Sequence, residues 1–272
     1  MSFFVQKHSG VIPLETRKTI SNRYKTVTKA INKEFWNILS DTQNSMYVGS
    51  YGRRTAINTS DLDILVLLPE REYIRFDSYN GNGQSRLLQA VKSAITNTYS
   101  RSDVRADGQV VKISFSDGMK FEILPAFQNI DWLGNWDGTY KYPDSNMGGN
   151  WCSTNPKAEQ EAMNLKNNNS NGLLVDTCRH LRFVRDNYFS SYHLPGIVID
   201  SFVYAAMGNW RWTKPGSTSS ALKGEYENAL LDYLEQNSFW GMMDLKAPGS
   251  NQKVSTQGSL EYLEKVMKFI VQ

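Results

Sequence analysis

Cysteine and histidine are scarce in this chain. The cysteines are Cys152 and Cys178, the histidines are His8, His180 and His193, and their spacing matches neither C-x-x-C nor H-x-x-x-H. A structural zinc ion needs such ligands at short spacings, so the sequence predicts no zinc site. Two cysteines do not by themselves imply a disulfide.

Long apolar runs and a large net charge are absent as well. No stretch of about 18 consecutive apolar residues is present, and the amino terminus has no basic start followed by an apolar run. These absences predict a cytoplasmic protein without a membrane segment. Thirty Lys and Arg against 27 Asp and Glu leave a net charge of +3, so a polyanion site requires local clustering. The 40% of hydrophobic residues suffices for a buried core.

Helical periodicity marks the first segment and the last third of the chain. Apolar residues from Ile20 to Ile38 recur at spacings of three and four, which predicts one long helix from about 13 to 40. Leu88, Val91 and Ile95 predict a second helix over 84–99. Asn155-Pro156 is a favourable helix start. Five helices are predicted from there, at about 156–167, 172–189, 195–207, 219–236 and 257–270.

Short β-prone runs lie between these helical regions. Residues 46–48 and 61–68 predict two strands, and 110–115 and 119–124 predict a hairpin. Residues 131–151 are rich in Gly, Asn, Asp, Trp and Tyr, which predicts a loop or linker. We place the boundary between two lobes there, with a first lobe over 1–150 and a helical lobe over 151–272.

Acidic residues stand at the start of the predicted strand 61–68. Asp61 and Asp63 are two residues apart, so they point to the same face of a strand. Two carboxylates that close repel, and a divalent cation between them relieves the repulsion. Glu122 supplies a third carboxylate on the polar face of the strand 119–124. Oxygen ligands of this kind, together with phosphates, are what Mg²⁺ prefers. A D-x-D pair can also be two solvated carboxylates at a strand end.

A Gly-Ser pair precedes the acidic strand. Gly49 allows the backbone to approach a ligand closely, and Ser50 with the amides after it can donate to phosphate oxygens. The sequence therefore predicts a phosphate cradle next to a metal site.

Three short motifs together resemble the DNA polymerase β superfamily of nucleotidyltransferases. They are Gly49-Ser50, Ser60-Asp61-Leu-Asp63 and Glu122-Ile-Leu-Pro-Ala126. Within the superfamily, the chain is most similar to bacterial cGAS/DncV-like nucleotidyltransferases (CD-NTases), which make cyclic oligonucleotide signals in anti-phage defence. Segments 151–157 (WCSTNPK) and 181–185 (LRFVR) support that similarity.

The resemblance implies an α+β fold. A mixed sheet with helices would carry the acids and pack on a C-terminal helical lobe, with the first long helix spanning both lobes. It implies that Asp61 and Asp63 bridge two Mg²⁺ ions, for which Mn²⁺ can substitute, and that Glu122 completes the site. NTPs would be joined without a nucleic-acid template, and the cyclic product would activate a downstream effector.

The resemblance also implies contacts to the nucleotide. Arg185 stands where the family often carries a Lys that grips the triphosphate, and Arg182 lies one turn earlier on the same predicted helix. The remaining predicted substrate contacts are Gly49, Ser50, Tyr51, Asn164 and Asn167. The chain departs from the family at Glu122, where Asp is commoner, and at Gly196, near which a phosphate-binding Ser is usual.

Two other functions fit the same motifs. One is a nucleotidyltransferase that acts on RNA ends or on a small molecule, and the other is a catalytically silent nucleotide-binding sensor. An enzyme acting on RNA ends predicts a basic accessory domain, for which this chain has neither the length nor the charge. The second has little need for three intact carboxylates.

Overall fold

A computed structural model describes residues 3–8, 11–58 and 61–272. The chain divides into two compact units. The sheet unit consists of Ile12–Gly52 and Asn58–Asn155. The helical unit consists of three separate segments, which are Met1–Val11, Arg53–Ile57 and Pro156–Gln272.

The sheet unit is built on a mixed seven-stranded sheet. Its central path has the strand order β1-β2-β5-β4-β3, in which only β2 and β5 run parallel. The long strand β5 continues beyond this path and pairs with β6, which pairs with β7. The strands are β1 Ser45–Tyr47, β2 Leu62–Leu67, β3 Asp103–Asp107, β4 Val110–Ser114, β5 Lys120–Ile130, β6 Trp136–Asp144 and β7 Asn150–Thr154.

Four helices accompany this sheet: α1 Leu14–Ile31, α2 Gly49–Gly52, α3 Glu70–Asp77 and α4 Gly83–Thr96. The predicted first helix is confirmed, but it ends earlier than expected. After α1 a π-helical turn covers Asn32–Trp36, and Asn37 adopts a left-handed conformation with φ 56°, which closes the helix. The apolar faces of α1 and α4 pack with the strands in one core, which includes Ile20, Val27, Ile64, Leu88, Val91 and Phe121.

The prediction of a loop over 131–151 was wrong. Most of this segment forms β6 and the start of β7, and both strands belong to the sheet. The aromatic residues explain the difference, because Tyr140 is buried against Val48 and Leu65 in a separate small core. Aromatic side chains favour strands when they have a surface to pack on, which the local composition does not reveal. Strand β3 and helix α3 were not predicted either.

The helical unit contains the five predicted helices with small shifts. They are α5 Pro156–Asn169, α6 Leu173–Tyr188, α7 Gly196–Ala206, α8 Glu225–Asn237 and α9 Leu260–Ile270. A short two-stranded sheet pairs β8 Leu245–Lys246 with β9 Lys253–Val254. Helix α8 starts later than predicted, because Gly224 immediately before it has a left-handed conformation with φ 86°. Among the described residues, no helix is long and apolar enough to cross a membrane.

Candidate active site

Two of the three predicted acids are neighbours in the sheet. Asp63 on β2 and Glu122 on β5 are directly paired in the parallel register. Paired residues on adjacent strands point to the same face, so the two carboxylates share one side of the sheet. Asp61 immediately precedes β2 and is exposed. Ser60, which belongs to the same motif, lies outside the described residues.

The Gly-Ser turn packs directly on this acidic strand. The backbone N–H of Val48 donates to the carbonyl oxygen of Asp63 at 2.9 Å, and α2 begins at the next residue. Gly49 has φ 59°, and a Cβ at this position would overlap the carboxylate of Asp63. Only glycine therefore fits at position 49, where the chain passes the acidic strand just before Ser50.

Tyr51 lies on the same short helix as Ser50. Its ring packs at 4.8 Å, centroid to centroid, from the ring of Tyr47, and the side chain is half-buried. Burial raises the pKa of Tyr51, so the phenol is neutral at physiological pH. A ring held in this way can offer its remaining face and its hydroxyl to a nucleobase, which is the predicted role.

A lysine lies on the other side of Glu122. Lys112 on β4 pairs with Glu122 in the antiparallel register, and its Nζ is 3.3 Å from Oε1 of Glu122. The same Nζ is 2.8 Å from Oδ2 of Asp107, and the hydrogen bond to Asp107 raises the pKa of Lys112. The sequence analysis missed this residue. The predicted hairpin contained the signal, since its short turn sets which β4 residue faces Glu122.

A cavity of about 470 Å³ opens beside Glu122 on the same face of the sheet. Pockets of this size hold small ligands. Its lining carries both signs of charge, so it offers donors to phosphate and acceptors to hydroxyl groups. The polar lining residues are Asp103, Arg105, Asp107, Lys112, Ser114, Lys120 and Glu122.

The donor set suits a hard divalent cation. Asp61, Asp63 and Glu122 offer only carboxylate oxygens, and the strand register holds two of them side by side. Within the described part of the chain, no three acidic, histidine or cysteine side chains converge on one point. The carboxylate of Glu122 lies 3.3 Å from the ammonium of Lys112.

Arg182 is placed in the interior of the helical unit. It is 4% exposed, and its guanidinium donates to Oδ1 of Asp200 at 2.7 Å and to the carbonyl of Gly196 at 3.0 Å. A third bond reaches the hydroxyl of Thr55 at 3.2 Å. A Cβ on Gly196 would overlap the guanidinium, so a side chain at this position would displace Arg182. These contacts give Arg182 a structural role and offer no support for its predicted substrate contact.

Arg53 completes the same buried cluster. Its Nε donates to Oδ2 of Asp200 at 2.9 Å, and its NH1 donates to Oε2 of Glu159 at 2.8 Å. Burial by itself raises the pKa of Asp200, but the guanidiniums of Arg182 and Arg53 outweigh it and hold the pKa below its usual value. The cluster anchors Arg53–Ile57, the segment that directly follows the Gly49–Gly52 helix, inside the helical unit. The sequence analysis did not find this role for Arg53.

Arg185 is more accessible than Arg182. Its Nε donates to Oδ1 of the adjacent Asp186 at 2.7 Å, and NH1 donates to the carbonyl of Leu194 at 2.8 Å. The Arg185 side chain is 19% exposed and that of Asp186 is 31% exposed.

The two predicted base-binding asparagines lie on α5. Asn164 is half-buried. Asn167 accepts a hydrogen bond from the backbone N–H of Val175 at 3.0 Å, so its side-chain oxygen already supports the first turn of α6. The predicted contact of Asn167 with a nucleobase stays a prediction.

Comparison with known families identifies the chain. The family model of the second messenger oligonucleotide or dinucleotide synthetase (SMODS) domain matches residues 4–167, which is more than half of the chain. The match includes the Gly49-Ser50 turn and all three acids. The chain belongs to the SMODS family.

Solved structures show the fold of this SMODS chain in other proteins. One is the CdnE cyclic dinucleotide synthase of Elizabethkingia meningoseptica, with 15% identity, a TM-score of 0.63 and coverage of 91% of this chain and 89% of that one. The CdnE c-UMP-AMP synthase of Rhodothermus marinus has 15% identity, a TM-score of 0.61 and coverage of 93% and 89%.

The DncV cyclic AMP-GMP synthase of Vibrio cholerae has 11% identity, a TM-score of 0.59 and coverage of 98% and 85%. No curated protein sequence matches the chain. The structural likenesses confirm the expected α+β, polymerase β-like architecture of this SMODS protein.

Proposed function

We propose that this SMODS protein makes a cyclic di- or trinucleotide from NTPs by metal-dependent, template-independent phosphoryl transfer. The observation that carries the proposal is the parallel pairing of Asp63 with Glu122, beside a Gly49 that can only be glycine. The names of the structurally similar proteins, which are cyclic dinucleotide synthases, support a cyclic product.

The site residues divide the reaction between them. Asp61 and Asp63 would hold the cations, Glu122 would complete the ligand set, and Ser50 with the α2 amides would bind the phosphates of the donor NTP. Bound Mg²⁺ would acidify the attacking ribose hydroxyl and stabilise the pyrophosphate. Mn²⁺ can take its place.

In each step the hydroxyl oxygen of one nucleotide forms a bond to the α-phosphorus of the other. The bond from that phosphorus to the pyrophosphate oxygen breaks, and Glu122 accepts the hydroxyl proton. A last attack within the linear product closes the ring, which leaves no terminal phosphate. In this reaction Arg185 would hold the triphosphate, and Tyr51, Asn164 and Asn167 would contact the bases.

The biological setting follows from the product. A cyclic nucleotide made by a bacterial CD-NTase acts as a second messenger, so we expect a downstream effector that binds it and a role in anti-phage (CBASS) signalling. The effector would recognise the cyclic product and not the synthase.

Product analysis tests the proposal. Purified protein is incubated with all four labelled NTPs and either Mg²⁺ or Mn²⁺, and the mixture is then treated with phosphatase. We expect a small, phosphatase-resistant product, which the Asp61→Asn/Asp63→Asn variant fails to make while remaining folded. Long ladders or phosphatase-sensitive products would contradict cyclisation. Wild-type turnover by the double variant would contradict the metal site.

A further inference from the structure

A row of four charged residues crosses the sheet at the level of the site. The pairings of neighbouring strands join Asp63 to Glu122, Glu122 to Lys112, and Lys112 to Arg105. Paired residues share one face, so the row runs from two acids to two bases. Glu122 therefore lies between an acidic neighbour and a basic one, and a cation can approach it from either side.

Lys112 has two carboxylate partners, and its ammonium can move closer to either of them. Its Nζ lies 2.8 Å from Asp107 and 3.3 Å from Glu122, and its side chain is 42% exposed. The Asp107 side chain is 62% exposed and that of Glu122 is 29% exposed. A shift of the ammonium from one carboxylate to the other needs only side-chain rotation in solvent, so the fold does not oppose it.

The ammonium of Lys112 lies close to Oε1 of Glu122, so a divalent cation bound to that carboxylate would repel it. Both are positive, and like charges a few ångströms apart at a partly exposed site disfavour each other markedly. A metal ion bound at Glu122 therefore disfavours the present position of Lys112. Lys112 in that position in turn weakens metal binding at Glu122. Asp107, already within hydrogen-bonding distance, is the partner that keeps Lys112 when Glu122 takes a metal.

On the basis of the proposed function, we propose that Lys112 is a positioning residue that competes with the divalent cation for Glu122, and that Asp107 receives it when the metal binds. In the ligand-free protein the Lys112 ammonium neutralises part of the acidic charge around Glu122. The ligand-free protein consequently binds a divalent cation less tightly than it would without Lys112.

Binding of Mn²⁺ to the nucleotide-free protein, measured by calorimetry and by the loss of the free-ion signal in electron paramagnetic resonance, tests this role. Lys112→Met should bind Mn²⁺ about three- to tenfold more tightly than wild type, because one repelling charge is removed. Asp107→Asn should bind it less tightly, because Lys112 then has only Glu122. The gain in Lys112→Met should shrink in high salt, which screens exposed charges.

Arg105→Met is the matched control. It also removes one positive charge from the cavity lining, but Arg105 pairs with Asp103, with its Nε 2.9 Å from Oδ1, and not with Glu122. Mn²⁺ affinity should stay within about twofold of wild type, since the charge is more remote and solvent-exposed. In a Glu122→Gln background the Lys112→Met gain should disappear, because the competition requires the carboxylate.

Two results separate the inference from the function on which it rests. Unchanged or weaker Mn²⁺ binding by Lys112→Met, and by Lys112→Gln as a second variant, would overturn the inference while leaving the metal site intact. If Asp63→Asn binds Mn²⁺ as well as wild type, or if neither wild type nor Lys112→Met binds it, the proposed metal site and the inference both fall.

Discussion

At the scale of single residues, Gly49 is the position at which the site tolerates no side chain. Gly49→Ala should lose at least about tenfold in kcat/KM, because the new Cβ displaces the Asp63 carboxylate from its place beside residue 49. The left-handed φ of 59° adds a backbone cost of roughly 1–2 kcal/mol. Steady-state kinetics and thermal unfolding of the variant measure the two effects.

Gly118 provides the matched control for that substitution. It has φ 86° in the turn between β4 and β5, and a Cβ there would meet no atom within 4 Å. Gly118→Ala should therefore lose a similar amount of stability, but it should keep its kcat/KM within about twofold. Equal activity losses in the two variants would show that backbone strain, and not the Asp63 carboxylate, is responsible.

At the scale of secondary-structure elements, the buried cluster around Asp200 joins α5, α6, α7 and the segment 53–57. Asp200→Asn should destabilise the protein by about 3–5 kcal/mol, because Arg53 and Arg182 lose the carboxylate that neutralises them in the interior. Denaturant unfolding followed by circular dichroism measures this loss.

The control for this change is Asp232→Asn, which alters an exposed aspartate on α8 of the same unit. Its free energy of unfolding should stay within about 0.5 kcal/mol of wild type. A comparably small effect of Asp200→Asn would show that the cluster contributes little to stability.

At the scale of the whole molecule, residues near the start of the chain contact residues far along the sequence. Residues 3–8 pack in the helical unit, where Nε2 of His8 lies 3.1 Å from Nδ1 of His180, a contact across 172 positions. Burial lowers the pKa of both histidines from the ordinary value of 6.5. Nearby Asp176 raises the pKa of His8 in part, and Arg179 lowers it further.

These shifts predict a pH dependence of stability. Histidines held neutral in the folded state stabilise it fully above the unfolded pKa of 6.5, and this contribution is lost as the pH falls below that value. The melting temperature should therefore drop between pH 7.5 and pH 5.5, and His8→Asn should show a smaller drop.

His193, which is exposed, supplies the control. His193→Asn should retain the full pH dependence of wild type. Identical pH profiles for wild type, His8→Asn and His193→Asn would exclude the histidine pair as the cause and point to other titrating groups.

Much of the fold followed from local sequence patterns, and the same patterns supplied the candidate site residues. The helices α1 and α4–α9 have periodic apolar faces and recognisable starts, so their presence was predictable without tertiary contacts. The shared face of Asp63 and Glu122 was predictable because strand alternation separates each of them from the apolar residues beside it, whereas Asp61 lies just before β2 and outside that alternation. A close approach at Gly49 was predictable because glycine alone has no Cβ.

Tertiary structure decided the remaining features. Strands β6 and β7 exist because Tyr140 finds a surface to pack on and β5 offers free backbone groups, and neither is visible in the composition of 131–151. The sequence also placed Arg182 with the substrate, whereas Asp200, 18 residues later, fixes it in the interior. Periodicity records which face of an element is apolar, but the partner of a buried charge depends on where distant elements meet. That is why the strand register and the arginine partners required the folded chain.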